Sequence, residues 1–344
     1  MKKLLLPLLI LVICFSCSDK ETSHEYTTVT VKTVYQDSVS IRAIEFLDAQ
    51  TLAFAGSRGV FGTIDVSSGK VRANVQTYDS IIPEFRAAAH SDIDFFMLSV
   101  ASPALLYKTG DAGQMELVYK EEGEGVFYDA MKFWNSSEGI AIGDTVNGCF
   151  SIIITRDGGQ TWNKLSCDKL PKLDGDTGAY AASNTNIEIK GDQTWVMTSN
   201  EILLYSPDKG NSWNAIRTPI QIKETYQGIY SIAFYDALNG YGVGGDFSKP
   251  DLNLSNKIKT VDGGQTWKVV ADGIEPGYKS CVQYIPNSGG MDLIAIGFTG
   301  ISYSKDGGMQ WKHLSDEGFY TLRFLNDSVA FAAGRNRIAE LRFK

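Results

Sequence analysis

The chain has 344 residues, 43% of them hydrophobic, and a net charge of −8. With no basic run and no helix to enter a groove, this acidic chain excludes nucleic acid as a partner. Its three histidines (His24, His90, His313) are scattered and its cysteines lack metal-ligand spacing, so neither a metal nor a cofactor is expected.

The N-terminus reads first. Lys2 and Lys3 precede the apolar run 4–15, and Ser16 and Cys17 follow. This is a secretory signal, too short to span a bilayer as a helix. It resembles a bacterial lipoprotein signal, which implies removal of residues 1–16, lipidation of Cys17 and an anchor in the outer membrane of the cell envelope. Residues 17–25 then form a polar tether, and 26–344 the folded domain. The alternative is an ordinary cleaved signal with an incidental cysteine.

The rest of the chain is organised by one repeated motif. Thr155–Trp162, Ser206–Trp213, Thr260–Trp267 and Ser304–Trp311 share a hydroxyl residue, an aspartate two positions on and a closing tryptophan. The aspartates Asp157, Asp208, Asp262 and Asp306 lie roughly 45–55 residues apart, the length of one β-propeller blade. Strand-like runs flank each copy. The Asp-x-Gly-Gly core is turn chemistry, and Trp162, Trp213, Trp267 and Trp311 can pack back beneath their turns. Weaker copies at Asp111 and Asp65 raise the count to six. The segment 318–344 holds three strand-like runs and lacks a fourth, while 26–35 is a strand without a blade. Joining them completes a seventh blade. The expected fold is therefore an all-β, seven-bladed propeller of four-stranded blades, its last blade closed by the N-terminal strand.

Aligning the first strand of each blade on a small residue gives Ala43, Ala87, Ala130, Ala181, Ser231, Cys281 and Thr321. The preceding positions include Arg42, Arg86, Asp129, Tyr180, Tyr230 and Tyr320. Topology places these on the face opposite the Asp turns, together with the loops carrying Arg58, Asp144, 246–256 and Arg335. An arginine sector on blades seven, one and two suits an anionic ligand or partner, with the tyrosines as contact surface. The alternative is internal pairing of the arginines with Asp129 and Asp144. Cys149 and Cys167 flank the first full motif almost symmetrically. They form a disulfide in an oxidising envelope or remain two free thiols. Cys281 reads as core.

The motif resembles the Asp-box (BNR) repeat of sialidases and other propellers, in which the box is structural. A sialidase-like or glucan-active glycosidase would use the arginine face, or Asp129 and Asp144 as a carboxylate pair. Against it stand the count of seven and the absence of an Arg-Ile-Pro motif. The run 240–245 is glycine-rich but opens no helix, so it is not a dinucleotide loop. The segments from Ala141 to Trp162 and from Ala295 to Trp311 resemble the photosystem II assembly and stability factor family and its non-photosynthetic relatives. That resemblance implies a non-catalytic scaffold docking partners through an arginine patch, matched by blade position to Arg42, Arg58, Arg86 and Arg335. The expected partner is a protein or a glycan of the envelope.

Overall fold

The computed structural model describes residues 25–111, 113–173, 175 and 177–344. The expected signal 1–16, Cys17 and the tether as far as residue 24 lie outside the described residues. Apart from two single-turn 3-10 segments, the regular structure is all strand, in five four-stranded sheets and one seven-stranded sheet. The seven-stranded sheet is two blades joined by one strand. Val29–Phe46 is 18 residues long. Its first half pairs antiparallel with Arg335–Phe343, from Val29 opposite Phe343 to Gln36 opposite Arg337. Its second half pairs with Thr51–Gly56, Ala43 facing Ala55. The register shifts between Gln36 and Ser40, which lets the strand leave one blade and begin the next. Blade seven is thus Thr321–Phe324, Val329–Ala333 and Arg335–Phe343, completed from the N-terminus. The ring closes as the missing fourth strand requires.

Apolar packing between blades explains the sequence pattern. Middle strands such as Phe95–Ser99 and Leu293–Gly297 are buried along their whole length, because each face of a blade meets a neighbour. They therefore read as unbroken apolar runs, whereas the outer Val29–Gln36 half-strand alternates. One apolar cluster fills each gap between blades. The last two gaps complete the ring: Ile294 and Ile296 of blade six meet Leu322 and Leu341 of blade seven, and Phe331 of blade seven meets Phe54 of blade one.

The Asp boxes are structural clips. Asp157 Oδ1 accepts from the Thr155 hydroxyl (2.9 Å) and the Thr161 N–H (2.9 Å), and Oδ2 accepts from the Thr161 hydroxyl (2.7 Å). Asp208 and Asp262 repeat all three bonds. Asp306 keeps the first two and accepts the Met309 N–H, since Gln310 offers no hydroxyl. The indoles of Trp213, Trp267 and Trp311 donate to the carbonyls of Gly210, Gly264 and Gly308 in their boxes, while the buried Trp162 Nε1 has no acceptor. The glycine before Gln160 is needed twice over: Gly159 has φ +83° and a Cβ there would lie 2.2 Å from Phe96. In blade two the clip is not built. Asp111 makes no side-chain hydrogen bond among the described residues, and Thr109 donates instead to Asp94 (2.7 Å). Cys149 and Cys167 are joined by a disulfide, with Cα atoms 5.5 Å apart.

Blade four departs from the alignment on Ala181. Its first strand is Ile187–Lys190. The preceding residues 179–186 instead cross the propeller axis and close it. Asn184 accepts from Met131 N (2.9 Å) and donates to Ala88 O (2.6 Å) and Glu45 Oε1 (3.3 Å), reaching blades three, two and one. Thr185 donates to Ser231 of blade five (2.7 Å). The Ser183 hydroxyl donates to Ser280 O of blade six (2.6 Å), and Ser183 O accepts from Thr321 of blade seven (2.9 Å). Ser183, Asn184 and Asn186 are fully buried. This segment is a plug bonded to every other blade.

Candidate functional site

Above the plug, on the face opposite the Asp boxes, lies a cavity of about 830 Å³. Ala181 and Ala182 of the plug form its floor. Its walls differ sharply. Blades seven, one and two contribute Arg335, Arg337, Arg42 and Arg86, whereas blades four to six contribute Tyr180, Tyr230, Tyr278, Phe247 and Phe298. Four arginines and no carboxylate line it.

The arginines are held to different degrees. The Arg42 guanidinium lies 4.0 Å over the Tyr320 ring and donates through Nη1 to Ala182 O (3.1 Å), while its buried Nε has no partner. Burial, then the nearby Arg86 cation, disfavours its charge. Arg86 donates from Nε and Nη2 to Glu84 Oε1, both at 2.7 Å. Arg337 pairs with Glu317 (2.6 Å) and lies 4.4 Å over Phe319. The exposed Arg335 makes no side-chain hydrogen bond or ion pair among the described residues. An anion entering here meets guanidinium charge that the protein has only partly neutralised.

The aromatic wall is rigid. Tyr180 and Tyr230 stack at 3.7 Å with planes 9° apart, and Tyr278 meets Tyr230 edge-on at 5.0 Å. The Tyr230 hydroxyl donates to Tyr226 O (2.7 Å), and that of Tyr180 to Ser199 O and Gln227 O (3.3 Å each). Burial pushes Tyr180 up to about 12, so it stays neutral. Phe298 tilts against Tyr278 at 5.3 Å, and the exposed Phe247 packs on Tyr226 at 4.6 Å.

Of the residues singled out in the sequence, Arg42, Arg86, Arg335, Tyr180, Tyr230 and Tyr320 share this cavity. Tyr180 reaches it from the plug segment and not from a first strand. Three do not line it. Arg58 sits in a tight turn at φ 60° and reaches toward Ser38 O (3.5 Å). Asp129 is fully buried below the wall. Burial, then the adjacent Asp144 carboxylate, pushes its carboxyl well above the usual range. The neutral form of Asp129 is thereby favoured, and the adjacent Asp144 accepts from Ala179 N (2.9 Å). Neither group can meet a substrate as a separated acid–base pair. Tyr278, Phe298, Phe127 and Arg337 were not anticipated; they lie on loops or in positions outside the strand alignment.

A family model described as photosynthesis system II assembly factor YCF48 matches residues 116–223. No curated protein sequence matches the chain. A solved structure described as YCF48 bound to D1 peptide is similar with a TM-score of 0.67 at 12% identity, covering 94% of this chain and 97% of that one. YCF48 from Cyanidioschyzon merolae gives 0.62 at 14% identity, covering 91% and 98%. The WD40 repeats of RRP9 give 0.65 at 10% identity, covering 91% and 97%. At these identities the likeness is one of fold. The chain is a seven-bladed β-propeller, similar in fold to YCF48.

Proposed function

We propose that the protein is a non-catalytic scaffold, lipid-anchored at Cys17 in the cell envelope, that holds an anionic segment of a partner protein in the arginine–tyrosine cavity. The observation that carries this is a lining with four arginines and no carboxylate, facing a preformed aromatic wall. The peptide complex described for a fold relative is in keeping with it. A protein segment suits the cavity better than a glycan, because Tyr180 and Tyr230 are stacked on each other and each has one face already covered. A glycosidase reading finds no carboxylate on the walls to serve as acid or nucleophile.

The test is affinity capture from the native envelope, followed by titration of the captured partner's acidic peptides. Binding should weaken at least about tenfold on Arg335→Glu and fall with added salt, as exposed charge pairs do. Capture unchanged by Arg335→Glu and by Arg86→Ala would refute the proposal.

A further inference from the structure

The described chain begins at one particular face. The Glu25 carboxylate pairs with Lys305 of the blade-six Asp box (2.7 Å). The Tyr26 ring meets Tyr303 edge-on at 5.5 Å, and its hydroxyl donates to Asp327 O (2.9 Å) in the first turn of blade seven. The described chain therefore starts at the Asp-box face, over blades six and seven.

The same face is apolar beside that point. Val261 is 65% exposed, Leu238 56%, Met291 49% and Met309 44%. All four lie in turns of blades five and six. Gly263 N donates to Leu238 O (2.9 Å) and Gly307 N to Met291 O (2.8 Å), which places each box against the neighbouring turn of its own blade. Lys259 donates to Gly307 O (2.9 Å), tying the two blades together. The repeats supply an internal control. Where Val261 stands, the boxes of blades three and six have Arg156 and Lys305; where Met309 stands, the other three have Gln160, Asn211 and Gln265. Four of the exposed apolar residues on this face thus cluster next to the chain's point of entry, and one more, Ile93 at 84% exposure, lies apart in the first turn of blade two.

We infer that the Asp-box face of blades five and six rests on the bilayer and that the arginine cavity points away from it. This rests on the lipid-anchor reading of Cys17. Seven residues lie between Cys17 and Glu25, a reach of at most about 30 Å when fully extended, about the diameter of a small domain. That reach leads a lipid on Cys17 most directly to the face on which Glu25 lies. Val261, Leu238, Met291 and Met309 then give the anchor a second, weaker hold at the membrane interface. Partners are met at the cavity on the far side.

The experiment uses the full lipidated chain on vesicles of phosphatidylethanolamine and phosphatidylglycerol. Cys149 and Cys167 are bonded to each other and Cys281 is buried, so a thiol-reactive environment-sensitive dye will report single introduced cysteines. Met309→Cys and Val261→Cys should shift to blue emission on vesicles and lose most of their quenching by iodide. Leu254→Cys, equally apolar on the cavity face, should change in neither respect. The reverse pattern, or equal response at all three sites on a chain that floats with the vesicles, overturns the orientation alone. Mass spectrometry finding no lipid on Cys17 overturns the anchor, and the orientation with it.

Discussion

Replacing Asn184 tests whether the axial plug holds the ring together. Its side chain makes three hydrogen bonds, to Met131 N, Ala88 O and Glu45 Oε1, from a position with no solvent exposure. Alanine removes all three and leaves two backbone groups at the axis without that partner, at about 1–3 kcal/mol each. Asn184 also has φ 58°, a left-handed conformation that costs a residue with a Cβ about 1–2 kcal/mol. Asn184→Ala should thus lose about 3–8 kcal/mol, a large part of the stability of an ordinary domain. Asn184→Gly loses the same bonds without the backbone term and should sit about 1 kcal/mol above the alanine variant. Urea unfolding of both measures this. A midpoint for Asn184→Ala within about 1 kcal/mol of the parent protein would refute the idea that the plug bonds carry stability. Because the plug also bears Ala182 O, the acceptor for Arg42, the surviving folded fraction should bind anionic peptide more weakly.

Four further outcomes follow. Gly159→Ala must displace Phe96 and strain φ +83°, so it should lower the melting temperature more than Gly69→Ala, whose Cβ meets open space at a comparable φ. Reducing Cys149–Cys167, which closes an 18-residue separation, should cost about 3 kcal/mol, read as a drop in melting temperature with reductant. The Thr266 hydroxyl and N–H hold Asp262 below its ordinary 3.8, so the clip's contribution is complete above that value and is lost as pH falls through the lower folded value; acid unfolding of Asp262→Asn should be less steep. Asp129 runs the other way: its raised folded value means the native state keeps a proton that the unfolded chain releases, so stability declines as pH rises above about 4. Asp129→Asn, which is neutral at every pH, should be more stable than the parent protein at pH 8 and no different at pH 3.5.

The blades were legible because each one repeats a clip whose chemistry is local. The clip bonds of Thr260, Asp262, Gly264 and Thr266 run among residues at most four positions apart, so their spacing is written in the chain. The closure was legible for the same reason, as one strand short at the end and one over at the start. The plug was not, because its bonds run to six other blades and have no period. Ala181, Ala182 and Ser183 also imitate the small residues of a first strand, and that drew Tyr180 into the wrong element although it reaches the cavity all the same. Arg42, Arg86 and Tyr320 were found through strand register. Phe247 came only with its loop 246–256, and Tyr278 and Phe298 were missed because they flank the strands in loops, where only the fold brings them to one wall. Asp129 looked like a site residue for its charge, and burial beside Asp144 removes that charge.

The strand shared by two blades has a mechanical side. Thr27 and Thr28 both donate to Lys344 O, and the ladder continues from Val29 to Gln36 along Arg335–Phe343. A pull on Glu25 along that strand would load the bonds of the ladder side by side and would not open them one at a time. The point at which the chain would be tugged is thus also the seam of the ring, and it is sewn in the direction that resists tearing.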